Sequence, residues 1–310
     1  MTEIIVHESF DVAEQLLAAL SPLEDRWEGS QNEWFFRGHG DARWPLVPTS
    51  LRTNCPARFG FGASRCFGPL TTNQAQILAE LELIKYLAHH LDDQGIHFPG
   101  EDLVPRYRSQ RVQNWMLEWE KELFRFPVER QLPLFAIAQH NGIPTRLLDW
   151  SEDPLTAAYF AAVPRATEGE RADGTELAIW SLRAHFLRTW EFMGNIEIEI
   201  VTPPWSANPN LCAQRGHFTI HRPILKRDSP PCASSLDELM TDYARQAERW
   251  AEQEGKPRVE LPVMRCLKLP GEQSNRLLRL LRAHGVSAGS LYPGHRGAAA
   301  AVLERQLWED

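Results

Sequence analysis

The chain has 310 residues, a formal net charge of −8, 43% hydrophobic residues and 24% charged residues. These are globular proportions and exclude wholesale disorder, a collagen or a coiled coil. No apolar run approaches the roughly 18 residues that a membrane span needs, and the acidic balance argues against a surface that coats nucleic acid.

In chain order, Ile4-Ile5-Val6 reads as a strand. A helix follows, with Asp11 as its cap and Val12, Leu16, Leu17 and Leu20 on one face. Trp34-Phe35-Phe36 is a strand ending in the turn Arg37-Gly38-His39-Gly40-Asp41, and residues 53–72 read as irregular. Asn73 to Leu91 is an amphipathic helix through Ile77, Leu81, Ile84 and Leu87, and Gln113 to Phe124 has a helical face. Leu132 to His140 is an apolar helix ended by Asn141-Gly142 and Pro144. Another begins at Asp153-Pro154, where proline suits a first turn whose N–H is unpaired anyway. The runs ELAIWSL (176–182), IEIEIV (196–201) and HFTIH (217–221) alternate as strands do. Leu236 to Glu252 is a polar helix, Arg258 to Leu269 is strand-like, and Ser274 to His284 is amphipathic. Gly285 and Gly289 bracket a short strand, and residues 298–307 are helical. The class is α+β, with helices packed around a mixed or antiparallel β core.

Eleven Trp and 22 Pro stand out. Aromatic rings of that size call for a sizeable core or an aromatic-lined pocket. The five cysteines form no CxxC pair, and the first ten residues lack a basic start and an apolar run. The expectation is reduced thiols in a cytoplasmic protein. There is no GxxxxGK[ST], no G-x-S-x-G, no HExxH and no G-x-G-x-x-G after a strand. No metal is expected, because the histidines are not paired at ligand spacing with carboxylate or thiol; His217 and His221 on one strand stand about 13 Å apart.

Three segments hold polar residues that propensity does not explain. In Phe36-Arg37-Gly38, an arginine ends an aromatic strand; its planar fork suits phosphate or carboxylate, and the glycine permits close approach. Its alternative is a structural ion pair. The second runs from Gln139 to Trp150 and sets His140, Thr145, Arg146 and Asp149 around a Gly/Pro turn. Arg146 and Asp149 either serve a ligand or clamp the loop, and His140 titrates near neutral pH. The third, Asn210 to Thr219, places Gln214 before an aromatic strand. Arg106, Arg108, Arg111, Trp115 and Trp119 form a basic and aromatic strip that reads as an ordinary helix face or a contact for single-stranded nucleic acid.

Together the segments WFFRGHGDARWPLVPTSLR (34–52), QHNGIPTRLLDWSEDPLTAAYFA (139–161) and NLCAQRGHFTIH (210–221) resemble the FRG domain family, named for its (F/Y)RG motif. HGVSAGSLYPGHRGAA (284–299) is similar to the family's ending. A weaker resemblance is to ADP-ribosyltransferases of the Arg-Ser-Glu type. Arg37-Gly38 looks like their first element, and Thr145 to Ser151 followed by Ala157-Ala158-Tyr159-Phe160-Ala161 looks like their second. Glu197 and Glu199, or Gln214, stand where their glutamate would be. Glu197 and Glu199 also read as the solvated face of a strand, and glutamine supplies no carboxylate.

The resemblance implies an α+β fold with split sheets like those of ADP-ribosyltransferases, and a pocket for NAD or a related nucleotide. It implies ADP-ribosyl transfer or glycosidic cleavage, with a toxin or phage-defence setting by association. The alternative is a non-catalytic nucleotide- or nucleic-acid-binding module. Residues 1–30 are expected to be an N-terminal strand–helix extension, 31–222 the core domain, and 223–310 its C-terminal completion. Arg37, His140, Thr145, Arg146, Asp149 and Gln214 are the expected catalytic set. Gly38, Arg52, Trp150 and Phe218 are expected to bind cofactor, with Trp34 as a further wall. The implied partners are a small phosphorylated ligand and a protein or nucleic-acid acceptor, with no membrane and no metal.

Overall fold

The computed structural model describes residues 3–27, 34–52, 73–101, 126–168, 174–194, 197–222 and 234–307. The helical reading of residues 113–124 and the strip from Arg106 to Trp119 lie outside them. Seven strands form one sheet: β1 (Ile5–Ser9), β2 (Trp34–His39), β3 (Leu147–Ser151), β4 (Glu176–Arg183), β5 (Ile198–Val201), β6 (Gly216–His221) and β7 (Met264–Pro270). Their spatial order is β1-β7-β4-β2-β3-β6-β5. β1 runs parallel to β7, and every other neighbouring pair is antiparallel. The class is therefore α+β with a mixed sheet, and the sheet takes strands from all three expected segments.

Ten α-helices are described: α1 (Ala13–Ala19), α2 (Asn73–Asp93), α3 (Leu132–His140), α4 (Pro154–Glu168), α5 (Ala184–Phe192), α6 (Pro209–Ala213), α7 (Leu236–Glu254), α8 (Ser274–Ala283), α9 (Ala288–Leu291) and α10 (His295–Glu304). Strand alternation sorts the core onto two faces. Trp34, Phe36, Leu177, Ile179, Leu267 and Leu269 point to one face, under α1, α4 and α8. Phe35, Leu148, Trp180, Leu182 and Met264 point to the other, under α5 and α7. A third cluster sets α2 and α3 on Leu147, Phe218 and Ile220.

The sheet is not two separate sheets, but it has a seam. β2 meets β4 through six register pairs and β3 meets β6 through five. Between β2 and β3 the ladder narrows to Phe36↔Ser151 alone. Beyond that pair the strands diverge, and the gap between α3 and α4 lies over the opening.

Four local expectations need correction. Val12, not Asp11, is the N-cap of α1, and no side chain caps it; the Asp11 amide instead donates to Gln15 Oε1. Arg37, Gly38 and His39 continue β2 rather than forming a turn. That continuation depends on the glycine: a Cβ on Gly38 would lie 2.0 Å from Ala157 O and 2.5 Å from Ala161 N of α4. The stretch between Gly285 and Gly289 holds no strand; Ser287 starts the short helix α9. Residues 258–263 stay outside the strand that begins at Met264.

Candidate functional site

A cleft of about 310 Å³ opens over the seam. Its floor is Phe36 and Gly38 of β2 with Asp149 and Ser151 of β3. Gln139 and His140, from the end of α3, form one side; Ala157 and Phe160 of α4 form the other. Gln214, at the end of α6, and Tyr292, after α9, close it, and Trp150 and Arg37 complete the lining. The volume lies at the lower end of small-molecule sites, roughly 300–1,000 Å³.

Arg37 alternates with Gly38 and leaves β2 from the opposite face, yet its guanidinium reaches the seam. Its Nη1 donates to Asp149 O at 2.8 Å and to Asp149 Oδ2 at 3.3 Å. Its Nε donates to His39 Nε2 at 3.0 Å. Since arginine is always protonated, His39 accepts through Nε2 and carries its proton on Nδ1. Burial, then the Arg37 and Arg52 cations, push His39 down to about 3, so it is neutral. Arg37 Nη2 has no bond among the described residues.

Asp149 is held by a chain of bonds. The Leu147 amide donates to Thr145 Oγ1 at 3.2 Å, and the Thr145 hydroxyl donates to Gln139 Oε1 at 2.7 Å. This fixes the Gln139 amide with Nε2 donating to Asp149 Oδ2 at 3.1 Å. Oδ1 stays open, and the side chain is 52% exposed. Asp149 is the one carboxylate lining the cleft among the described residues.

His140 Nε2 accepts from Asn210 Nδ2 at 2.8 Å, which leaves the proton on Nδ1. Burial lowers its pKa, against the pull of Asp149. The phenol of Tyr292 is pushed up by burial and then by the Asp149 charge, and its ring meets Phe160 edge-on at 6.3 Å. Gln214 Nε2 donates to Leu291 O at 3.2 Å, tying the α6 turn to α9. The Ser151 hydroxyl donates to Gln214 O at 2.7 Å.

Of the residues expected from sequence, Arg37, Gly38, His140, Asp149, Trp150 and Gln214 line this cleft. Thr145 does not: it is fully buried and acts on the cleft through Gln139. Arg146 does not reach it either. Arg146 is 2% exposed and lies against Glu80, with Nε–Oε2 at 2.8 Å and Nη2–Oε1 at 2.9 Å. Arg52 donates from Nε to Val47 O; it is not among the lining residues, and its charge bears on His39. Phe218 is in the core under α3, and Trp34 packs beneath α1 and α4.

Glu197 accepts from the Tyr243 hydroxyl at 2.7 Å, and Glu199 pairs with Arg222 at 2.6 Å. Both sit at the sheet edge, with β6 and β3 between them and the seam. The cleft residues outside the expected site set are Phe36, Gln139, Ser151, Ala157, Phe160 and Tyr292. All six fall inside the motif segments 34–52, 139–161 and 284–299, which was the available signal.

The chain is thus an α+β protein with one polar, aromatic-walled cleft at a sheet seam. Residues 32–170 match the FRG domain, and the chain carries an FRG domain over that span. Gln214 and Tyr292, which close the cleft, come from outside it. No curated protein and no solved structure matches the chain.

Proposed function

We propose that the cleft binds NAD or a closely related nucleotide and acts on its ribosyl bond, by glycosidic cleavage or ADP-ribosyl transfer. The observation that carries this reading is Arg37. Its guanidinium is anchored through Nε, shares Nη1 with Asp149 and keeps Nη2 without a bond among the described residues, beside a cleft walled by Tyr292 and Phe160. A diphosphate takes the place of Asp149 on Arg37, and a flat base lies against the rings.

The displaced Asp149 carboxylate then faces the ribose. As the bond from C1′ to the nicotinamide nitrogen breaks, its electron pair leaves with neutral nicotinamide, and positive charge develops on the ribose. A carboxylate there stabilises that charge and takes the proton of the attacking water or acceptor hydroxyl. Neutral His140 is a hydrogen-bond partner for a ribose hydroxyl.

The test is nicotinamide release from NAD by the full chain, with calorimetric titration of ADP-ribose beside it. Turnover that Arg37→Ala abolishes supports the reading. Binding without turnover selects the non-catalytic nucleotide module, and neither binding nor turnover removes both.

A further inference from the structure

A second cavity, of about 350 Å³, lies beside the cleft and shares only Phe36 with it. Its apolar surface is Leu17 and Leu20 of α1 with Trp27, Trp34 and Phe36. Trp27 meets Trp34 and Phe36 edge-on, at 5.5 and 5.1 Å, and fixes this wall. Glu152, Asp153, Arg215 and His284 stand at the polar side.

Each of the two acids has a partner within the protein. Asp153 accepts the Leu155 amide and the Thr156 hydroxyl at the start of α4, and Glu152 pairs with His217 Nε2 at 2.9 Å. The Arg215 guanidinium and the His284 ring have no bond among the described residues. Arg215 also holds the single left-handed backbone among non-glycine residues described, at φ +45°. That conformation is costly for a side chain with a Cβ, and such cost is retained where the geometry serves a purpose. Here the Gln214-Arg215 turn gives one side chain to each cavity.

We infer that this cavity is a binding site for a small ligand with an aromatic or aliphatic body and one anionic group, the body on the Trp27–Trp34–Phe36 wall and the anion on Arg215 and His284. This goes beyond the nucleotide reading and does not depend on it.

Calorimetric titration of the full chain with 2-naphthoate, 2-naphthalenemethanol and 2-naphthylmethylammonium tests it. The expected order places naphthoate roughly tenfold tighter than the alcohol and the ammonium weakest. Arg215→Asn, which suits a left-handed backbone, should reduce naphthoate to the level of the alcohol with an unchanged or higher melting temperature. Arg215→Lys should restore part of the difference, and Leu17→Trp should fill the cavity and remove binding of all three. Arg37→Ala should leave naphthoate binding intact. The inference is overturned by equal affinities across the series, by preference for the ammonium, by no binding, by naphthoate binding that ignores Arg215→Asn, or by loss of binding in Arg37→Ala.

Discussion

Arg37 and Arg146 carry the same guanidinium into opposite surroundings. Arg146 is locked on Glu80, which also accepts from Ser50 and Gln76, and on His221 O. Removing one member of a buried pair leaves the other charge uncompensated, at about 3–5 kcal/mol. Arg146→Ala should lower stability by that amount in urea unfolding, whereas Arg37→Ala, which leaves His39 Nε2 without its donor, should cost about 1–3 kcal/mol while removing ligand binding. Nothing local in sequence separates the two arginines, because the burial of Arg146 is decided by a partner 66 residues upstream. Asp149 offers a sharper contrast. Asp149→Asn frees Arg37 of its counter-charge, so ADP-ribose should bind more tightly. The same change should reduce turnover of NAD by roughly 10²–10⁴, the usual scale of a lost acid or base. Tighter binding with full turnover would sink the role given to this carboxylate.

At the scale of elements, period and turn residues made α3, α8 and β6 legible, since each buries one patterned face. They misled where the pattern was too short to carry a period, as in the four-residue α9. The seam itself was not legible. It depends on β2 and β3 pairing at Phe36↔Ser151 alone, a contact between segments far apart in sequence, and α4 lies close against Gly38 beside it. Gly38→Ala forces a Cβ onto helix backbone that has no side chain to swing aside. Overpacking of this kind typically costs 1–3 kcal/mol, and here the floor of the cleft moves with it. The expected result is a lower melting temperature together with weakened nucleotide binding. A Gly38→Ala protein as stable as the parent would contradict the packing described. Gly297 plays the corresponding part at the far wall, where a Cβ would lie 1.7 Å from Tyr292 O.

Across the whole molecule, two buried histidines set a dependence on pH. His39 and His221 are each pushed to about 3, chiefly by burial, against about 6.5 in an unfolded chain. The unfolded state therefore takes up protons that the folded state refuses. Stability is intact above about pH 6.5 and is lost as pH falls toward 3, at about 1.4 kcal/mol per pH unit for each histidine. Urea midpoints between pH 7 and 5 should fall accordingly, and His39→Gln, which still accepts from Arg37, should make the slope shallower. A flat profile would mean that these rings are not held neutral by the fold.

The position of β7 has a consequence for how the chain is made. β7 is the last strand in sequence but sits between β1 and β4, so the first strand has no neighbour in the sheet until the last one arrives. At synthesis rates of roughly 5–20 residues per second, that wait is on the order of tens of seconds. During it the β4 edge, with Leu177 and Ile179, is an open template for pairing with other chains. A chain cut short before Met264 should therefore yield aggregate rather than a smaller folded protein, and the nascent chain should depend on a holding chaperone until the segment from Met264 onward emerges.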